Sequence, residues 1–220
     1  TEINDKLELK KIEDHEVVRL IKKTPNKSSV GEDNISYIML KYLKHQIAAP
    51  LRKIINTSID SGIFPTRWKK CVVTPLPKPG KDKSKADSYR PVSLLNAMSR
   101  VMELYIAEQM DKFAEEKKIL PETVHGYRQN RSTVSALLEV TDDIFECYEE
   151  NRLLSMTSLD VSAGFDTVSV SYLLRTLYYF GYSEDTLKWF DCYLSNRFWT
   201  VKVGEATSRW REIRKGVPQG

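Results

Sequence analysis

Cysteine and histidine are scarce in this chain: 220 residues hold Cys71, Cys147 and Cys192 and three histidines, with no CxxC spacing. Thiols this few and this far apart argue against a disulfide framework and against structural zinc, and predict a reducing, intracellular setting. His15, His45 and His125 are equally scattered, so the plain reading of each is a surface or packed histidine rather than a metal ligand. No apolar run approaches the roughly 18 residues of a membrane span, and the opening TEINDKLELKK lacks a secretory hydrophobic segment. Internal repeats and low-complexity stretches are missing as well. No Met heads the sequence, so its amino-terminal end is expected to be a cut.

What is present suits a globular chain of one or two domains, with 41% hydrophobic and 29% charged residues. The net charge of +4 is only mildly basic, so the distribution of charge matters more than its total. After residue 14, Val17, Val18 and Ile21 fall on one helical face that breaks at Thr24 and Pro25. Ser36 is placed to cap a long helix through Met39, Leu43 and Ile47, which Pro50 is expected to bend or split before Gly62 ends it. Residues 71–76, CVVTPL, are β-like but interrupted by Pro75, which predicts an edge strand or extended arm. A basic loop with Lys78, Lys81, Lys83, Lys85 and Arg90 follows, and Asn96 opens another amphipathic helix.

Further on, HGYRQNRST precedes a helix predicted to turn Val134, Leu137, Leu138, Thr141, Ile144, Phe145 and Tyr148 inward. Residues 153–159 are a strand candidate with Asp160 at its carboxyl end. Two helices over 168–180 and 183–194 are separated by Gly181, and RFWTVKV with SRWREIR predicts a hairpin around Gly204. The pattern is helix-rich first and mixed later, an α+β chain with a boundary near residue 150.

Chemistry-bearing side chains concentrate in a few of these segments. In residues 158–166, SLDVSAGFD, a carboxylate at Asp160 on a strand end could face a hard cation, or could serve as a turn former bonding nearby amides. Asp166 is read as a cap for the helix that starts near Val168. Residues 216–220, GVPQG, form either an ordinary Pro-Gly turn or a loop that approaches a nucleotide closely. Lys78 and Arg90 adjoin Pro and apolar residues that anchor the base of the basic loop. Arg128 and Arg131, interleaved with Tyr127, could contact a nucleic-acid backbone.

The order of the segments carries more information than any of them singly. VGEDNISYIMLKYL, SGIFPTRWKKCVVTPLPKPGK, SYRPVSLLNAMSRVMELYI, HGYRQNRSTVSALLEVTDDI, SLDVSAGFDTV, LKWFDCYLSNR and GVPQG follow one another across nearly the whole chain. In this the chain resembles the reverse transcriptase domain of non-LTR, LINE-like retrotransposons, the jockey-type elements in particular.

The resemblance implies a right-hand polymerase, with fingers and fingers-proximal helices over 1–150 and a partial palm, its sheet antiparallel, over 151–220. It implies an RNA-directed DNA polymerase (a nucleotidyltransferase) that joins a dNTP to a primer 3'-hydroxyl on an RNA template, with a DNA primer and two Mg²⁺ ions as partners. Asp160 then looks like the first metal-binding carboxylate, with the Val161 carbonyl as a further ligand. Phe165 matches the bulky gate that excludes a ribose 2'-hydroxyl, Lys78 and Arg90 the grip on the triphosphate, and Gln219 the loop residue against the nucleotide. Arg128 and Arg131 match the segment lining the template path.

Two residues depart from the family pattern: Gly164 stands where Ala is more frequent, and Asn130 where Gly is frequent, a position that Asn tolerates because it accepts left-handed geometry. No second carboxylate motif and no thumb follow Gly220, so residues 1–220 by themselves are expected to be inactive. The alternative reading is a noncatalytic nucleic-acid-binding fragment or a degenerate element copy.

Overall fold

The computed structural model describes residues 6–217. In chain order its elements are α1 (Asp14–Lys23), α2 (Tyr37–Tyr42), α3 (Lys44–Ser61), β1 (Lys70–Pro77), β2 (Tyr89–Leu94), α4 (Ala97–Glu116), α5 (Thr133–Glu149), α6 (Gly164–Thr167), α7 (Val170–Tyr179), α8 (Glu184–Leu194), β3 (Arg197–Val203), β4 (Ala206–Thr207) and β5 (Arg211–Ile213). The chain is α+β. Residues up to Ala107 together with those from Ala163 onward form one compact unit, and Glu108–Ser162 form a second.

Local chemistry accounts for most of the helix boundaries in the first unit. The Ser36 hydroxyl accepts from the Met39 N–H at 3.3 Å and opens α2. Asn96 Oδ1 accepts from the N–H groups of Met98 and Ser99 at 3.0 and 3.4 Å and opens α4. Gly62, in the left-handed region at φ 67°, ends α3. The break between α2 and α3 falls at Leu43, and Pro50 lies inside an unbroken α3. Both Pro50 and Gln46, whose carbonyl loses its helical partner there, are exposed, so water can satisfy the freed group. Ser183, rather than a residue of the helix itself, caps α8 by accepting from Thr186 N–H at 3.3 Å.

The sheet runs β2-β1-β3-β4, with β5 also paired to β3. β1 is therefore an inner strand and not an edge. It pairs antiparallel with β2 through Pro77 but parallel with β3 only over Lys70 to Val73. Pro75 thus sits past the part of β1 that has neighbours on both sides, where its missing N–H costs nothing on the β3 side. β2 itself, YRPVSL, was hidden in sequence by Pro91 and by the basic loop before it; Pro91 lies directly opposite Pro75.

The core of this unit is aromatic. Phe64 meets the rings of Trp68, Trp189 and Tyr193 edge-on at 5.9, 5.7 and 4.9 Å, and Trp189 stacks on Tyr193 at 5.3 Å. Trp189 Nε1 donates to Ser58 Oγ at 3.1 Å, which satisfies the indole in the buried interior. Arg197 is buried at the start of β3. Its Nη1 donates to the Tyr193 carbonyl at 3.0 Å, and its guanidinium lies over the Tyr193 ring at 4.8 Å. Burial pushes the Glu103 carboxyl up, against the opposing pull of Arg197 and Arg100, and burial likewise raises the Tyr193 hydroxyl.

The amino-terminal segment straps α3, α4 and α8 to one another. The Asn56 side chain brackets fully buried Ile12, accepting from its N–H at 2.8 Å and donating to its carbonyl at 3.0 Å. Tyr105 donates to the Lys11 carbonyl at 2.8 Å, and Thr186 to the Leu7 carbonyl at 2.9 Å. Gly31 approaches the β2–α4 junction so closely that a Cβ there would stand 2.8 Å from the Leu95 carbonyl oxygen.

In the second unit α5 carries all of the predicted inward positions, Val134 to Tyr148, but not their predicted burial. Val134, Leu137, Phe145 and Tyr148 are 63, 66, 62 and 82% exposed, so this face of the helix is open among the described residues. Residues 153–159 form no strand, and Leu153 and Leu159 stand exposed. The composition is β-like, but a strand exists only by pairing its N–H and C=O groups, and no described strand pairs with this segment.

Candidate nucleotide and nucleic-acid site

Lys78 and Arg90 come together on the β1–β2 hairpin. Arg90 is exposed and lies opposite Leu76, and the Lys78 N–H donates to the Ser88 carbonyl at 2.8 Å just beyond the last strand pair. Alternation along the strand puts Lys78 on the same side as Leu76 and Arg90. Lys78 Nζ donates to the Asp87 carbonyl at 2.7 Å, which fixes the ammonium while leaving its other hydrogens available to a phosphate. Lys81, Lys83 and Lys85 are exposed in the loop between the strands.

The two motifs at 158–166 and 214–220 meet at Phe165. The Gly216 N–H donates to the Val168 carbonyl at 2.8 Å, and the Val217 N–H donates to the Phe165 carbonyl at 2.9 Å. Gly216 has φ 85°, and a Cβ there would stand 2.7 Å from the Phe165 oxygen and 2.8 Å from Asp166 Cα. Only glycine permits both the left-handed backbone and this approach. Phe165 remains 41% exposed. Gly216→Ala is expected to destabilise the chain by at least about 1–3 kcal/mol and to loosen this clamp, as a lower midpoint of denaturation.

Asp166 does not cap α7. It lies inside α6, its own N–H donates to the Ala163 carbonyl at 3.0 Å, and Ser169 occupies the N-cap position of α7. The left-handed residue of this turn is Ala163, with φ 53°, not Gly164. Asn130 does adopt the left-handed conformation expected of it, with φ 61°.

Asp160 and Val161 belong to the second unit and are exposed on the irregular segment that follows α5. Asp160 offers a hard oxygen donor to a divalent cation. Among the described residues, no group of three or more His, Cys, Asp or Glu is placed to hold a metal ion.

Arg128 forms a fork with Glu115, with Nε to Oε1 and Nη2 to Oε2 both at 2.8 Å, while Nη1 donates to the Pro121 carbonyl at 2.8 Å. The hydrogen bond from Arg128 holds the Glu115 carboxyl below its usual range. His125 fastens the same loop to α5, with Nδ1 2.8 Å from Ser135 Oγ and Nε2 2.5 Å from Glu139 Oε2. Arg128 thus organises its loop, and Arg131 is half-buried beside it. Gln219 lies outside the described residues. The burial of Arg197 and of the Glu103 carboxyl is not evident from sequence, where each reads as a solvated charge; the one signal is the position of Arg197 between an aromatic helix and an apolar strand.

The chain belongs to the reverse transcriptase (RNA-dependent DNA polymerase) family, whose match spans residues 76–220. Over its full length it is 33% identical to a protein named as a probable RNA-directed DNA polymerase from transposon BS of Drosophila melanogaster, covering 24% of that protein. Over 93% of the chain it is 30% identical to two more from the same organism, a probable RNA-directed DNA polymerase from transposon X-element and the RNA-directed DNA polymerase from mobile element jockey, covering 22% of each. The chain therefore spans about a quarter of the length of the relatives it matches.

Proposed function

We propose that this chain is the nucleotide-selecting part of an RNA-directed DNA polymerase of a non-LTR retrotransposon, acting on an RNA template, a DNA primer and dNTPs inside the cell. The observation that carries the reading is the clamp between Phe165 and Gly216–Val217, which joins two separated family motifs around one exposed aromatic ring. The proposed division is fingers over 1–150 and partial palm over 151–220 of a right-hand architecture.

In this reading Lys78 and Arg90 offset the negative triphosphate from one hairpin, Arg90 by a planar fork and Lys78 as a point charge. Phe165 stands against the sugar, where its ring leaves no volume for a 2'-hydroxyl, and Gln219, outside the described residues, is assigned the loop contact to the nucleotide. Arg131 faces the template path, with Arg128 holding the loop that presents it. The primer 3'-hydroxyl attacks the α-phosphate and pyrophosphate leaves. Mg²⁺ ions, when bound, supply electrostatic stabilisation of the phosphoryl oxygens. Such an ion is held by one or two carboxylates together with substrate phosphates, a share that the Asp160 carboxylate and the Val161 carbonyl fit.

The test is sugar discrimination. In a polypeptide that extends this chain to the length of its relatives, Phe165→Ala is expected to lower the preference for dNTP over rNTP at least about tenfold, measured as the ratio of kcat/KM values. Unchanged discrimination would remove Phe165 from the gate.

A further inference from the structure

Five cations, Lys78, Lys81, Lys83, Lys85 and Arg90, crowd residues 78–90 against only Asp82 and Asp87. A segment so charged repels itself and, left alone, extends into water. Here it is folded. Lys78, Pro79, Gly80 and Lys81 form a turn closed by the Lys81 N–H on the Lys78 carbonyl at 3.3 Å, with Gly80 at φ 70° in the third position. A second turn follows at once, in which the Lys85 N–H donates to the Asp82 carbonyl at 3.3 Å.

Two side chains add what these backbone turns lack. The Asp82 carboxylate accepts from both the N–H and the hydroxyl of Ser84, each at 2.9 Å, which fixes the second turn. The hydrogen bonds from Ser84 hold this carboxyl below its usual range, so it stays ionised at neutral pH. The Tyr89 hydroxyl donates to the Lys83 carbonyl at 2.9 Å and so ties the tip of the loop to the first residue of β2. Residues 81–87 are all exposed, and hydrogen bonds rather than burial decide their shape. Tyr89 and Arg90 are successive strand residues that point to opposite faces, which leaves the Arg90 fork clear of the tie.

We propose that Tyr89 and Asp82 are positioning residues for the triphosphate of the incoming nucleotide: they hold the β1–β2 loop folded against its own charge, so that Lys81, Lys83 and Lys85 stay beside Lys78 and Arg90 before the phosphates arrive. The proposal rests on the reading in which Lys78 and Arg90 meet the triphosphate. An ordered loop presents its charge without first being ordered by the ligand, and apparent affinity scales with the fraction of molecules already in the binding shape. Asp82 gives the proposal a sign that charge alone reverses. An acid among lysines repels a triphosphate, so its removal tightens binding if it acts only by charge and weakens binding if it acts by holding the turn.

The experiment is primer extension at varied dNTP by a polypeptide of the relatives' length. Tyr89→Phe, which removes one hydroxyl and keeps the ring, is expected to raise KM for dNTP about threefold to tenfold while kcat stays within about twofold. Asp82→Ala is expected to raise KM over the same range, whereas Asp82→Asn, which loses the charge but keeps an oxygen for the Ser84 N–H, is expected to leave KM no higher than in the unsubstituted protein. In the 220-residue chain with no nucleotide present, trypsin cleavage after Lys81, Lys83 and Lys85 is expected to be at least about threefold faster in Tyr89→Phe and Asp82→Ala, because cleavage follows the open fraction of the loop. A lower KM in Asp82→Ala, an unchanged KM in Tyr89→Phe, or unchanged cleavage in both variants would overturn the proposal. Lys78→Gln separates the two levels. If it raises KM at least about fivefold while Tyr89→Phe does not, the triphosphate reading stands and the positioning role falls. If Lys78→Gln leaves KM unchanged, the triphosphate reading falls and the proposal with it.

Discussion

Asp160→Asn is expected to reduce RNA-templated primer extension by at least about a thousandfold in a polypeptide of the relatives' length. The substitution keeps the size of the side chain and removes only the charge. Asp160 is exposed and outside every helix and strand, so stability should change by no more than about 0.5 kcal/mol. Activity and folding are thereby separated: single-turnover extension should collapse while the denaturation midpoint stays in place. Residues 1–220 alone, which span about a quarter of the relatives' length, are expected not to extend a primer. Robust Mg²⁺-dependent extension by that polypeptide, lost in Asp160→Ala, would contradict this, and full activity in Asp160→Asn at the greater length would remove Asp160 from its proposed role.

Trp189→Ala is expected to cost about 3–5 kcal/mol of stability, as for other buried large aromatic truncations. Trp189 is 1% exposed and joins Phe64, Phe190 and Tyr193 through its ring faces and edges. Truncation opens a cavity among rings that cannot all collapse into it, and it deprives Ser58 Oγ of the indole donor at 3.1 Å. Urea denaturation measures the effect as a lower midpoint. A loss under about 1 kcal/mol would mean that the aromatic cluster is not the centre of this core.

Features with local causes were legible in the sequence. Ser36, Asn96 and Gly62 act within a turn of themselves, and the alternation of RFWTVKV needs only a sheet face, so caps, stops and β3 follow from neighbouring residues. Features that depend on distant partners were not. β1 is an inner strand because β3, more than a hundred residues later, pairs with its first half. The β-like run at 153–159 has no described strand beside it, and periodicity alone could not distinguish that outcome from a paired strand. The apolar positions of α5 were legible as a stripe but not as an exposed one, since a pattern specifies which residues share a face and not what covers it. The candidate site divides in the same way: Lys78 and Arg90 were legible as a basic loop, whereas the Phe165 clamp required Gly216 to approach a turn some fifty residues before it.

The most direct measurement is incorporation of labelled dNTP on an RNA template by a polypeptide extending this chain to the length of its relatives, with a DNA primer and Mg²⁺. The account predicts DNA complementary to the RNA and lost in Asp160→Asn. Binding of the primed template without any incorporation would contradict it and favour a noncatalytic nucleic-acid-binding protein.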